Sequence, residues 1–127
     1  MDKILAEISA GELFDKITIL EIKKAKISNK EKLNDINREL SSLNETVKKF
    51  IPDKSSISKY INDLKNINLK LWNIEDGKRA AEKNKNFDEK FIELARNVYK
   101  FNDERAKIKL KINQILGSNI KEVKSHF

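Results

Sequence analysis

The sequence predicts an all-α protein, an elongated up-and-down bundle of about four helices with coiled-coil-like packing, and three observations carry that prediction. The 127 residues include only 3 Gly and 1 Pro, roughly 3% together against an average near 12%, too few for turn-rich sandwiches, barrels or phosphate-cradling glycine loops. Apolar residues recur at alternating spacings of three and four, the period of helices that pack along a seam. Capping residues stand three positions before a glutamate at three points, in Ser9–Glu12, Ser28–Glu31 and Asn86–Glu89, where each can satisfy the orphan N–H groups of a helix start. The length fits one domain, so residues 1–127 are read as a single helical unit.

The first helix, near 10–27, carries Leu13, Ile17, Leu20, Lys24 and Ile27 on one face and Phe14, Ile19 and Ile22 on the others. A helix apolar on several sides is either central in a bundle or shared with a second subunit. The β-branched run Ile17-Thr18-Ile19 leaves a strand as the alternative there. The second helix, near 29–51, has the stripe Leu33, Ile36, Leu40, Leu43, Val47 and Phe50, and Pro52 ends it. The third, near 54–84, runs Ile57, Tyr60, Leu64, Ile67, Leu71, Ile74, Lys78 and Ala81; the fourth, near 87–116, runs Phe87, Phe91, Leu94, Val98, Phe101, Arg105, Ile108, Ile112 and Ile115. Gly117 closes the fourth helix, and a flexible tail is expected over 118–127. Short links make successive helices antiparallel.

The chain has no Cys and one His, His126, expected to be exposed in the tail. That composition excludes disulfides, thiolate zinc sites and a Ser-His relay. The N-terminal acids and the lack of a long apolar run point away from a secretory signal or a membrane span and toward the cytoplasm. Net charge is +7, which raises nucleic acid as a partner. The cations, however, are 23 Lys and 4 Arg interleaved with acids, the pattern of a solvated surface, so nucleic-acid binding ranks behind the other readings.

The informative positions are polar residues set where the stripe asks for apolar ones, because a buried charge costs several kcal/mol unless it is paired. Arg105 interrupts the fourth seam with Asn102 and Lys109 beside it, and an acid of the first helix, Glu12, Asp15 or Glu21, is its expected partner. Lys24 and Lys78 are expected to snorkel. A second polar group heads from Trp72 through Glu75, Asp76 and Arg79 to Glu82, with helical spacings that allow ion pairs, and the fourth helix adds Arg96, Tyr99, Asn102 and Asp103. The candidate cluster is therefore Glu12, Asp15, Glu75, Asp76, Arg79, Arg96, Tyr99, Asn102, Asp103 and Arg105. Only carboxylates could hold a metal, with Glu12, Asp15 and Glu75 as candidates for Mg²⁺. The Glu12–Asp15 pair is similar in part to the E-x-x-D pairs of all-α nucleotide pyrophosphohydrolases. The adjacent Glu75-Asp76 departs from that pattern, since neighbouring side chains project about 100° apart on a helix. No other cofactor is expected.

Three stretches together, Gly11 to Lys23 (GELFDKITILEIK), Leu71 to Asp76 (LWNIED) and Phe91 to Ala106 (FIELARNVYKFNDERA), resemble a family of short bacterial proteins catalogued only as a domain of unknown function. The resemblance spans about Ser9 to Lys124 and implies no activity, cofactor or catalytic residue. The function expected is a non-catalytic protein-interaction or assembly module that self-associates, through the surplus apolar surface of the first helix and through Leu69 and Trp72 outside the third seam. The alternative is a small all-α enzyme or binder for a phosphorylated or carboxylated metabolite, a nucleotide or sugar nucleotide, with Glu12, Asp15, Glu75 and Arg105 in a cleft.

Overall fold

The structure, a computed structural model, describes residues 1–120 and Val123. It contains four helices, α1 (Ala10–Lys26), α2 (Lys30–Phe50), α3 (Ser58–Lys83) and α4 (Glu89–Leu116), and no strand among the described residues. Ile17, Thr18 and Ile19 lie within α1, so the strand alternative is set aside: the 3–4 spacing over the whole segment outweighs a three-residue β-branched run. His126 and most of the expected tail lie outside the described residues.

The helix starts differ from the sequence reading in three places. Ser9 caps α1 as expected, its hydroxyl accepting from the Glu12 N–H at 3.1 Å. The cap of α2 is Asn29, one residue after Ser28, with its side-chain oxygen accepting from the Lys32 N–H at 3.0 Å. The cap of α4 is Asp88, two residues after Asn86. Asn and Asp match Ser as cap acceptors, and Phe87 stacks edge-on against Phe91 with ring centroids 5.2 Å apart, fixing the chain's entry into α4. Helix α3 begins at Ser58 because the Asp53 carboxylate accepts from the Ser55 N–H at 2.9 Å and forms a separate turn. That turn carries Ile57 into the core with no exposed surface.

Helix α1 is the centre. Phe14, Ile17, Leu20 and Ile22, which point to different sides of it, are all buried because α2, α3 and α4 each pack against α1. The apolar surplus that suggested a subunit interface is thus consumed inside one chain. Helix α2 runs antiparallel to α1 and touches no other helix at backbone distance, so a groove of about 370 Å³ floored by Phe14 and Ile17 opens between α2 and α3. The main core gathers Leu13, Phe14, Ile17, Val47, Ile57, Leu64 and Ile112. Phe50 and Ile115 continue their stripes in phase but stay 70% and 38% exposed, and the next residues, Ile51 and Leu116, pack against the core at those helix ends.

The antiparallel α3–α4 pair is the longest element. At 1.5 Å per residue its helices measure about 39 and 42 Å, against about 25 Å for α1, so the pair projects past α1 as a two-helix arm. Gly77 faces Leu94 in this arm, where an added Cβ would stand 3.0 Å from a Leu94 methyl. The turn at its tip closes α3 on Lys85, a non-glycine residue at φ 52°, with the Asn86 N–H donating to the Ala81 carbonyl at 2.9 Å.

Gly11 marks a close approach between α1 and α4. A Cβ there would lie 2.5 Å from the Lys109 carbonyl oxygen and 3.0 Å from Asn113 Oδ1, so any side chain must push α1 away from the backbone of α4. Gly11→Ala is therefore expected to destabilise the fold by about 1–3 kcal/mol, the usual cost of overpacking, seen as a midpoint shift in urea unfolding with the m-value unchanged. Gly77→Ala, which meets only a movable side-chain methyl, should cost less in the same assay.

Candidate functional site

Where α1 crosses α3 and α4, its polar residues face inward. Glu12, Asp15 and Thr18 follow one another at spacings of three along one side of α1, and Arg105, Lys109 and Asn113 follow at spacings of four along α4. The two rows run antiparallel and meet rung by rung. The Gly11 N–H donates to Asn113 Oδ1 at 2.6 Å, Lys109 Nζ donates to Glu12 Oε2 at 2.8 Å, and Arg105 Nε donates to Asp15 Oδ1 at 2.9 Å. A second Arg105 nitrogen, Nη2, donates to Asp15 Oδ2 and makes the pair bidentate. From α3, Asn68 Nδ2 donates both to Asp15 Oδ1 at 2.9 Å and to Thr18 Oγ1 at 3.0 Å. Beyond the last rung, Ser118 Oγ accepts from the Ala10 N–H at 3.2 Å, which ties the first residue of the expected tail to α1.

Asp15 is only 1% exposed. Burial alone pushes its carboxyl up, but hydrogen bonds from Arg105 and Asn68 and the charges of Arg105 and Lys109 together outweigh it and hold the group below the ordinary aspartate range. The Lys109 ammonium, with its side chain 9% exposed, stands 3.6 Å from Asp15 Oδ2 as well as bonding Glu12. Lys16 also stands 3.9 Å from Glu12, so the two carboxylates are paired with three cations. No buried side-chain polar atom among the described residues is left without a hydrogen-bond partner.

The ten candidates do not form one cluster. Glu12, Asp15 and Arg105 meet at the junction. Glu75 lies seven residues beyond Asn68 on α3, about 10 Å farther along the axis, and pairs on the surface with Arg79 at 3.0 Å. Asp76, Arg96, Tyr99 and Asn102 are exposed on the arm, and Asp103 is half-buried on α4. Glu75 is therefore too far from Glu12 and Asp15 to share a metal with them, and no group of three His, Cys, Asp or Glu among the described residues is arranged to hold one. Of the two stripe-breaking lysines, Lys24 is exposed and Lys78 half-buried. Lys65 of α3 takes up Glu21 at 3.2 Å, so of the three acids considered for Arg105 the geometry selects Asp15.

Sequence reasoning missed Asn68, Thr18, Asn113 and the role of Gly11. Asn68 and Asn113 each follow a stripe isoleucine, Ile67 and Ile112, and read as the flank of an apolar seam. The signal was the i, i+4, i+8 series Arg105, Lys109, Asn113, a polar row that matches the polar row of α1 only when the two helices are set antiparallel. Beside the junction, Arg105 borders a cleft of about 200 Å³ with Ile19, Ile22, Asn68, Leu71 and Trp72.

Fold and junction together define an all-α protein whose central helix is held by an internally paired polar row. The chain belongs to a family of unknown function (DUF6165), whose model matches residues 4–126. No curated protein and no solved structure matches it.

Since the Asp15 carboxyl is held below its unfolded value of about 3.8, its pairing adds stability above that pH, and the contribution is lost as pH falls through the folded-state value. Asp15→Asn leaves Arg105 and Lys109 facing a neutral group and should cost about 3–5 kcal/mol at pH 7. Urea unfolding of the wild type and variant from neutral pH into the acid range should show the gap between them shrinking below about pH 4.

Proposed function

We propose that the chain is a cytoplasmic, non-catalytic protein-interaction or assembly module that self-associates, with the α3–α4 arm as its docking element. The observation that supports this most is the closure of the junction. The residues best suited to acid–base or phosphate chemistry, Glu12, Asp15, Lys109 and Arg105, are engaged with one another between α1 and α4, and Asp15 has two donors from Arg105 and one from Asn68 of α3. An arginine already held bidentate by a buried carboxylate has little to offer an anion. The arm, in contrast, presents Ile92 at 48% and Tyr99 at 78% exposure on a rigid helical pair, the form of surface that helix-in-groove recognition uses.

One observation favours the second reading, a binder of a phosphorylated or carboxylated metabolite: the Arg105 side chain keeps 29% exposure at the mouth of the cleft lined by Trp72. The cleft's volume of about 200 Å³ falls below the ~300 Å³ at which small-molecule sites begin, which disfavours a nucleotide or sugar nucleotide. No helix among the described residues is long and apolar enough to cross a membrane.

Thermal unfolding with and without Mg²⁺, nucleoside diphosphates and sugar nucleotides separates the two readings. A ligand present at a hundred times its Kd would contribute about 2.7 kcal/mol, a rise of several degrees for a domain of this size. The module reading predicts no rise beyond scatter with any of them. A saturable rise that Arg105→Met removes, in a variant still folded, would overturn it in favour of the metabolite binder.

A further inference from the structure

The groove of the α3–α4 pair that receives α1 continues past it. On α3, the residues facing α1 are Lys65, which bonds Glu21, Asn68, which bonds Asp15 and Thr18, and Trp72, which shares a cleft with Ile19 and Ile22. Extending those rows by helical spacings of three, four and seven gives Glu75, Arg79 and Glu82. On α4, the facing row is Arg105, Lys109 and Asn113, and the same extension toward the arm's tip gives Asn102, Val98, Tyr99, Ala95 and Ile92. Ile19 and Ile22 are the last α1 residues to share a cleft with this groove, and beyond them Glu75, Arg79, Ile92, Tyr99 and Asn102 are exposed.

That uncovered face has the pattern of a seam. Ile92, Ala95, Tyr99, Asn102 and Ala106 follow spacings of three and four, one residue out of step with the inner stripe Phe91, Leu94, Val98 and Phe101, of which Leu94 meets Gly77 and Phe101 meets Lys70 of α3. A helix with two adjacent stripes of this period is built to contact helices on two sides. Asn102 sits in the outer stripe, and a single Asn among apolar seam positions fixes register and favours a defined oligomer.

Charge selects the occupant. From Trp72 to Tyr99 the chain has six Lys or Arg and six Asp or Glu, so the arm is neutral while the rest of the chain carries the whole +7. Two copies brought together through their bodies would repel, and through their arms they meet without net repulsion. A neutral surface also lacks the field that would recruit a strongly charged partner. We infer that the face of the arm built on Trp72, Glu75, Arg79, Ile92, Tyr99 and Asn102 is the surface through which two copies of this chain pair, so that two arms form a four-helix contact. This assignment rests on the interaction-module reading and names its partner. The face is about 20 Å long and two helices wide, roughly 400 Å² in projection on each copy, about half of the ~800 Å² that each partner of a standard interface buries, and the pair should therefore be weak, with a Kd of tens of micromolar or more.

Sedimentation equilibrium of the full chain from about 1 to about 200 µM reads this directly. The wild type should pass reversibly from monomer to dimer across that range. Ile92→Glu/Tyr99→Glu should weaken pairing at least about tenfold with helical circular dichroism unchanged, and Ile115→Glu, at an exposed position on the opposite side of α4 from Tyr99, should dimerise as the wild type does. If the double variant loses helicity, Tyr99→Ser carries the test, with weaker pairing expected. A wild type that stays monomeric throughout overturns the pairing of copies and the self-association in the proposed function, whereas the non-catalytic part of that reading fails on the thermal-shift result instead. Dimers that withstand the arm substitutions overturn the assigned surface.

Discussion

A carboxylate shut away from water must find its hydrogen-bond donors within the chain, and Asp15 finds them on two other helices at once. Arg105 grips both of its oxygens from α4, Asn68 reaches one of them from α3, and Lys109 stands within 4 Å. Apolar packing alone would let α1 slide or rotate in its groove with small loss, because its buried face extends over Leu13, Phe14, Ile17, Leu20 and Ile22 on several sides. The charges do not allow it: a one-turn slip would strand Asp15, Arg105 and Lys109 in the interior without partners, at several kcal/mol each. The junction thus acts on register more than on total stability, since a well-packed apolar replacement of such a pair can be as stable.

Gly11 belongs to the same constraint. The Lys109 ammonium and the Asn113 amide reach their partners on α1 only because the two backbones come close at the first turn of α1, where a Cβ would stand 2.5 Å from a carbonyl oxygen of α4. Close approach, ion pair and cap therefore act together at one end of α1: Ser9 closes the helix start, Gly11 admits α4, and Ser118, held beyond the left-handed turn at Gly117, binds the Ala10 N–H from the other side. Past the crossing of α1, marked on α3 by Lys65 and Asn68, the α3–α4 pair continues alone as the arm. The molecule is divided by this geometry into a body organised around α1 and a neutral two-helix projection.

The helices were legible because their period is written in every turn, as in Leu64, Ile67, Leu71 and Ile74 of α3. Their starts were less so: Ser28 and Asn29, or Asn86 and Asp88, are comparable acceptors, and local side-chain contacts such as Phe87 on Phe91 help to decide between them. Arg105 and Asp15 could be singled out from the sequence as a misplaced cation and a nearby acid. Their closing into one network with Lys109, Asn68 and Thr18 could not, because it depends on which residues of three helices come level, and helical period alone does not fix that offset. Glu75 and Arg79 illustrate the converse. Spacing made them an ion pair, which they are, but the distance along α3 that separates them from Asp15 emerges only once α1 is placed.

The most direct measurement is a double-mutant cycle on Asp15 and Arg105, comparing urea stabilities of the wild type, Asp15→Asn, Arg105→Met and the double variant. If the buried pair fixes α1, the two losses should be far from additive, with a coupling of about 2 kcal/mol or more and the double variant more stable than Asp15→Asn alone. Losses that add to within about 0.5 kcal/mol would contradict the account, because the two residues would then act independently and the register of α1 would rest on its apolar contacts.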